Sequence, residues 1–205
     1  MLQHFRWANP PSGSIARTDD SLAFAVTAHT DYWRQTHYGF TVDDGPFLYG
    51  EFGGDFVLAA RLSADYRAQF DQLGLMVRKG HEHWVKAGVE YVDGVRHVSA
   101  VVTHERSDWS IQPLGAGVRA GQDVWLRLRR RGDYVECAYA LDVPGEAPAY
   151  QVYRLAYFEP ECEVRAGLYA ASPDGEGFEA RFAEVQLAYL GDEARAAWRA
   201  GSRRQ

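Results

Sequence analysis

The sequence predicts an all-β chain folded as an antiparallel sandwich, and three observations carry that expectation. From about residue 14 to residue 190, apolar and polar residues alternate with period two in short segments, as strands with one buried face do. Gly, Asp and Pro bound those segments, which is where turns are needed. Helical periodicity is confined to 192–203, where Ala194, Ala197 and Trp198 would share one face of a short terminal helix capping the sandwich.

The 205 residues, 46% of them hydrophobic, suffice for one sandwich domain over 1–190, with the short helix or tail over 191–205. A formal net charge of −6 argues against a large basic surface that would track a phosphate backbone, so nucleic acid is not an expected partner. The opening Met1-Leu2-Gln3-His4-Phe5-Arg6-Trp7 lacks the apolar core of a secretory signal, and no run approaches about 18 apolar residues. Neither export nor membrane insertion is indicated, and a cytoplasmic location is expected. The two cysteines, Cys137 and Cys162, form no metal-ligand pattern, and Cys137 lies in phase with Val135 and Tyr139 as a buried thiol would.

Turns set the register of a central meander. Asp93-Gly94 reads as a two-residue type I′ turn, so Val92 faces Val95, Glu90 faces His97, Gly88 faces Ser99, Lys86 faces Val101 and Trp84 faces Thr103. A five-residue loop over 79–83 would place Arg78 opposite Trp84, Met76 opposite Lys86, Gly74 opposite Gly88 and Gln72 opposite Glu90. Leu73, Leu75, Val77, Val85, Ala87, Val89, Val98, Ala100 and Val102 then share one face, the core. A second hairpin over 123–131 and 134–141 turns at Gly132-Asp133, with Val124, Leu126 and Leu128 inward. Closing strands follow over 163–171 and 178–188, with a phase change near Ala183 that suggests a bulge.

On the other face of the meander, Gly74, Gly88 and Ser99 form a row almost without bulk. Met76, Arg78, Trp84 and Lys86 stand on one side of it, and Gln72, Glu90 and His97 on the other. That profile describes a trough, and glycines inside adjacent strands imply that something approaches closely. An aromatic wall with a few oriented polar groups suits a sugar ring and its hydroxyls. The plainer alternative is a solvated sheet face, with Arg78 over Trp84 as an ordinary cross-strand cation–π pair. Glu90 opposite His97 has the composition of an acid/base pair. Retaining glycosidases need two carboxyl groups roughly 5–5.5 Å apart, and inverting ones roughly 6.5–9.5 Å. The second would have to come from a loop, from Asp31 or Asp108.

His81-Glu82-His83 resembles a metal clip, but its side chains would alternate away from one another on a turn, so no metal or cofactor is expected. The dense segment Asp31-Tyr32-Trp33-Arg34-Gln35-Thr36-His37-Tyr38-Gly39-Phe40 could close one end of the trough or pack as a loop of its own.

Taken with Asp71-Gln72-Leu73-Gly74-Leu75-Met76-Val77-Arg78, Trp84-Val85-Lys86-Ala87-Gly88-Val89-Glu90, Ser107-Asp108-Trp109-Ser110 and Gly167-Leu168-Tyr169-Ala170-Ala171-Ser172-Pro173, that segment resembles the regulation-of-enolase-like family over about residues 5–190. The resemblance implies a concanavalin A-like lectin/glucanase sandwich, a jelly roll, in a family largely without an assigned activity. Related glucanases carry an acidic ExDxxE-type strand, whereas 84–90 offers Lys86 and Gly88 where acids would stand. Three functional expectations follow. The first is a binding module for a saccharide or sugar-like metabolite, with Trp33 and Trp84 stacking and His37, Gln72, Arg78, Lys86, Glu90, His97 and Ser99 presenting polar groups. The second is an enzyme on glycosides or sugar phosphates, with Glu90 and His97 as acid and base and Lys86 or Arg78 stabilising an anion. The third is a regulatory protein that binds a metabolic enzyme.

Overall fold

A computed structural model describes residues 1–190 except 116, 117 and 120, and the terminal helix expected at 192–203 lies outside the described residues. Two seven-stranded antiparallel sheets pack face to face. In spatial order the first contains β1 (Arg6–Ala8), β6 (Phe47–Phe52), β15 (Val164–Ala171), β8 (Gln72–Gly80), β9 (His83–Val92), β10 (Val95–His104) and β11 (Arg106–Pro113). The second contains β14 (Gln151–Tyr157), β13 (Tyr134–Leu141), β12 (Val124–Arg131), β7 (Phe56–Ala64), β16 (Glu179–Tyr189), β3 (Leu22–Ala25) and β2 (Ile15–Arg17). A small hairpin, β4 (Tyr32–Arg34) with β5 (Thr41–Asp43), completes the set.

The turn chemistry sets the meander as expected. Asp93 and Gly94 both adopt positive φ, 51° and 79°, which the type I′ turn requires, and the pairing runs from Val92↔Val95 to Trp84↔Thr103. The β8–β9 register also holds, from Gln72↔Glu90 to Arg78↔Trp84. Its connection is shorter than the five-residue loop expected. Gly80 pairs with His83 across a bulge after Arg78, leaving His81 and Glu82 as the turn. The phase change in β16 is a register shift between Ala183 and Gln186, with Glu184 at a φ of 51°.

Seven of the nine inward positions of β8–β10 join Leu58, Leu62, Leu126, Leu128 and Phe182 of the second sheet in the main core, Val102 packs against it, and Ala100 is buried beside them. Cys137 is buried there, and burial pushes its thiol up to about 12, so it packs as an inert apolar group.

The outer face of the first sheet is not the half-open trough expected. Met76, Trp84, Val101 and Tyr169 lie on it and form a second apolar cluster with Phe47 and Tyr49 of β6 and with Tyr32 and Trp33 of β4. The glycine row is filled from within the protein. Tyr169 pairs across β15–β8 with Gly74, which pairs with Gly88, and a side-chain carbon on Gly88 would come 2.7 Å from the Tyr169 hydroxyl. The close approach inferred from the glycines is real, but the approaching group is this tyrosine. On Gly74 an added carbon would lie 2.0 Å from the Ala87 carbonyl oxygen, so the backbone itself excludes a side chain.

The β4–β5 hairpin is tied over this second core by one buried ion pair. Arg78, expected to lie over Trp84, instead donates through both terminal nitrogens to Asp43 of β5, with its guanidinium 5.8 Å from the Tyr32 ring. Tyr32 donates to the Gly45 carbonyl, and the backbone N–H of Arg34 donates to Ser107 Oγ at 2.9 Å. Because Arg78 is 5% exposed, removing its partner leaves an uncompensated buried charge. Asp43→Ala should therefore cost about 3–5 kcal/mol, read from the urea midpoint, and adding Arg78→Met should restore most of it. Equal stability of the single and double variants would show that the pair does not hold the hairpin down.

Candidate functional site

Between the hairpin segment 31–40 and the outer face of β8–β11 lies a cavity of about 260 Å³. Its floor carries Gln72 of β8, Lys86 and Glu90 of β9, Val101 of β10 and Trp109 of β11. The 31–40 segment contributes Asp31, Trp33, Tyr38 and Phe40, and Phe70, Pro173 and Asp174 complete the rim. Larger depressions of about 490 and 500 Å³ occur elsewhere, but their charged residues are exposed or half-buried. Here Lys86 and Glu90 are 3% and 6% exposed, so this is where burial and charge coincide.

Local chemistry holds each wall. Asp71 is fully buried, accepts from the backbone N–H groups of Arg67 and Ala68 at 2.8 and 2.9 Å, and takes a further bond from Ser172 Oγ. That carboxylate locks the turn before Phe70 against the strand end that leads to Pro173 and Asp174. Asp31 is held by its N–H, which donates to Asp44 Oδ1 at 2.9 Å. Trp33 Nε1 donates to the Thr36 carbonyl at 2.8 Å, and its ring meets Tyr38 edge-on at 5.6 Å. Tyr38 stacks on Phe40 at 5.5 Å, and Phe70 meets Trp109 at 6.2 Å.

In the floor, Lys86 Nζ donates to Gln72 Oε1 at 2.7 Å and lies 3.6 Å from Asp31 Oδ1. The same ammonium sits 5.8 and 5.7 Å from the rings of Trp84 and Tyr169, a cation–π setting that lowers the cost of its burial. Trp109 Nε1 donates to Glu90 Oε2 at 3.0 Å and approaches Ser99 Oγ at 3.2 Å. Burial, above all, holds the Glu90 carboxyl above its ordinary range, while Lys86, Ser99 and Trp109 pull it back down and Asp31 pushes it further up.

Of the residues singled out in the sequence, Asp31, Trp33, Gln72, Lys86 and Glu90 meet in this cavity. Ser99 lies behind it, as a partner of Trp109. Trp84 does not present a stacking surface: it is 1% exposed, its Nε1 donates to the His81 carbonyl at 3.2 Å, and Tyr32 covers it at 6.3 Å. Arg78 is committed to Asp43, and His37 is an exposed loop residue whose ring packs on Tyr38 at 4.6 Å. His97 faces Glu90 in register, yet no hydrogen bond joins them. Its Nδ1 donates to the Val95 carbonyl at 2.9 Å, while Glu90 takes Trp109, so the acid/base pair is not assembled. Asp108 pairs with Arg154 at 3.4 Å, away from the cavity. The three residues of the apparent metal clip disperse: His81 to Asp43, Glu82 to Arg34, and His83 to the His104 ring at 4.0 Å.

Trp109 is the site residue that sequence reasoning missed and could have found. It pairs with Val101, so it extends the row Met76, Lys86, Val101 by one strand. Tyr38 and Phe40 belong to the 31–40 segment, read in the sequence as able to close one end of the trough, whereas Phe70 and Asp174 come from loops that no local pattern places there.

A family model described as "Protein of unknown function (DUF1349)" matches residues 7–189. Regulation of enolase protein 1 of Saccharomyces cerevisiae is 34% identical over 186 residues, 91% of this chain and 90% of the relative. These matches bear out the resemblance read from the sequence. A crystal structure of a functionally unknown protein from Saccharomyces cerevisiae aligns with a TM-score of 0.82 at 33% identity, over 91% of this chain and 96% of that one. A xylan beta-1,4-xylosidase from Bacillus halodurans C-125 aligns with a TM-score of 0.61 at 12% identity, over 82% of this chain and 32% of that one. The last likeness is one of fold alone.

Two stability measurements follow from these placements. Trp84→Ala should lower stability by about 3–5 kcal/mol, because it empties the second core. An undiminished melting temperature would contradict that role. For Glu90, the unfolded carboxyl ionises near 4.5 while the folded one resists. Its contribution is thus fully present below pH 4.5 and is lost as pH rises through the folded value. Glu90→Gln should therefore raise the melting temperature at pH 7 more than at pH 4, and a pH-independent difference would refute the assignment.

Proposed function

The chain belongs to the family described as protein of unknown function DUF1349, and we propose that residues 1–190 act as one binding unit, in the cytoplasm, for a single saccharide or sugar-like ring held beneath the 31–40 segment. The observation that supports this reading most is the meeting of a buried polar trio, Gln72, Lys86 and Glu90, with the aromatic faces of Trp33 and Trp109 in one small cavity. Rings pack the apolar face of a pyranose, and the amide and carboxylate take its hydroxyls. At about 260 Å³ the cavity falls just below the usual range of roughly 300–1,000 Å³, which fits one ring better than a chain of them. A sandwich of this fold also occurs within a xylosidase, which is compatible with sugar chemistry. Two free cysteines suit a reducing compartment. Acid/base catalysis by Glu90 and His97 draws no support, since His97 is engaged elsewhere.

A second reading, a protein partner, is favoured by one separate feature. Val152, Leu155 and Tyr157 on the edge strand β14 are 55%, 62% and 59% exposed, an apolar row at an open sheet edge. The name of the yeast relative points the same way.

Thermal shift against a panel of monosaccharides, oligosaccharides and sugar phosphates tests the first reading, because a ligand of the native state raises the melting temperature by mass action. A monosaccharide should stabilise the protein, and Trp109→Ala should weaken its binding by about tenfold while the far-ultraviolet spectrum is unchanged. A flat panel, or binding indifferent to Trp109→Ala, would overturn the reading.

A further inference from the structure

The cavity carries more negative than positive side chains. Among its lining side chains both indole N–H groups are engaged, Trp33 with the Thr36 carbonyl and Trp109 with Glu90, while Gln72 Nε2 donates to the Phe70 carbonyl at 3.2 Å and Lys86 to Gln72. Against these stand three carboxylates, Asp31, Glu90 and Asp174, and a single ammonium. That ammonium is committed to the Asp31 side, 3.6 Å from its carboxylate. Glu90 hydrogen-bonds only to uncharged donors, Trp109 and Ser99, with Lys86 acting on it through space, although it is 6% exposed. A buried carboxylate with no counter-charge in hydrogen-bond contact is costly, and a positive group brought by a ligand would offset that cost.

The walls suit the same charge. Trp33, Tyr38, Phe40, Phe70 and Trp109 line the cavity, and the faces of aromatic rings attract cations. Asp174 stands exposed at the mouth, where it would draw a cation inward.

We infer that the ligand of this cavity is a ring-sized cation of the amino-sugar class, with its ammonium against Glu90 and its ring among the aromatic side chains. The inference rests on the saccharide reading above and adds the charge. Glucosamine, N-acetylglucosamine and glucose are matched probes, because the second hides the amine as an amide and the third lacks it.

Calorimetric titration of the full chain at low ionic strength should show glucosamine binding about tenfold tighter than either neutral probe, a difference that shrinks as salt is added. Glu90→Gln should abolish that preference, weakening glucosamine binding about tenfold more than glucose binding. Asp174→Asn, a change at an exposed site that does not threaten folding, should reduce the preference partially. Equal affinity for glucosamine and glucose, or tighter binding of N-acetylglucosamine, would overturn the cation assignment and leave the saccharide reading intact. No binding of any of the three probes would overturn both.

Discussion

The outer face of the β8–β9–β10 meander carries too much apolar surface to be left to water. Met76, Trp84, Val101 and Tyr169 alternate out of strands whose other side chains already fill the main core, so this sheet is buried on part of both faces. The β4–β5 hairpin answers that constraint, and the Arg78–Asp43 pair anchors it where the cover would otherwise peel from the sheet. The cavity exists because the cover is incomplete. Where it stops fitting the floor, Lys86 and Glu90 remain beneath it in a low-dielectric recess rather than at an open surface. The site is thus a by-product of how a two-faced sheet is closed.

Most of the fold was legible because its register is fixed locally. A positive-φ turn at Asp93-Gly94 and strict alternation on both sides place six inward residues of β9 and β10 without any knowledge of the rest of the chain, and the connection after Gly80 adds three from β8. The same logic put Gln72, Lys86 and Glu90 on one face, and the site contains all three. What escaped was settled by contacts distant in sequence. Tyr169 reaches the glycine row from a strand about a hundred positions away, and nothing near Gly74 or Gly88 announces it. Trp84 reads identically as a stacking platform or as core until its cover is known. Burial, not alternation, separates those meanings, and burial here depends on Tyr32.

Glu90 and His97 illustrate a different limit. Register brings two residues opposite one another but does not say which neighbour each will choose. The Trp109 indole offers Glu90 a donor, while the His97 imidazole finds a carbonyl two residues back on its own strand. A short local bond and a well-placed third strand together undo a pair that two strands alone suggest.

Floor and roof of the cavity have different origins, and this shapes how the protein can change. Apart from Trp109 on the edge strand β11, the floor groups stand on central strands, bonded on both sides, where nearly any substitution disturbs a core. The roof hangs from a segment with Gln35, His37 and Gly39 at positive φ and with Tyr38 and Phe40 nearly half exposed. Relatives can therefore diverge in what they accept by redrawing a few roof residues while inheriting the floor unaltered, much as a lock keeps its case when only the wards are recut.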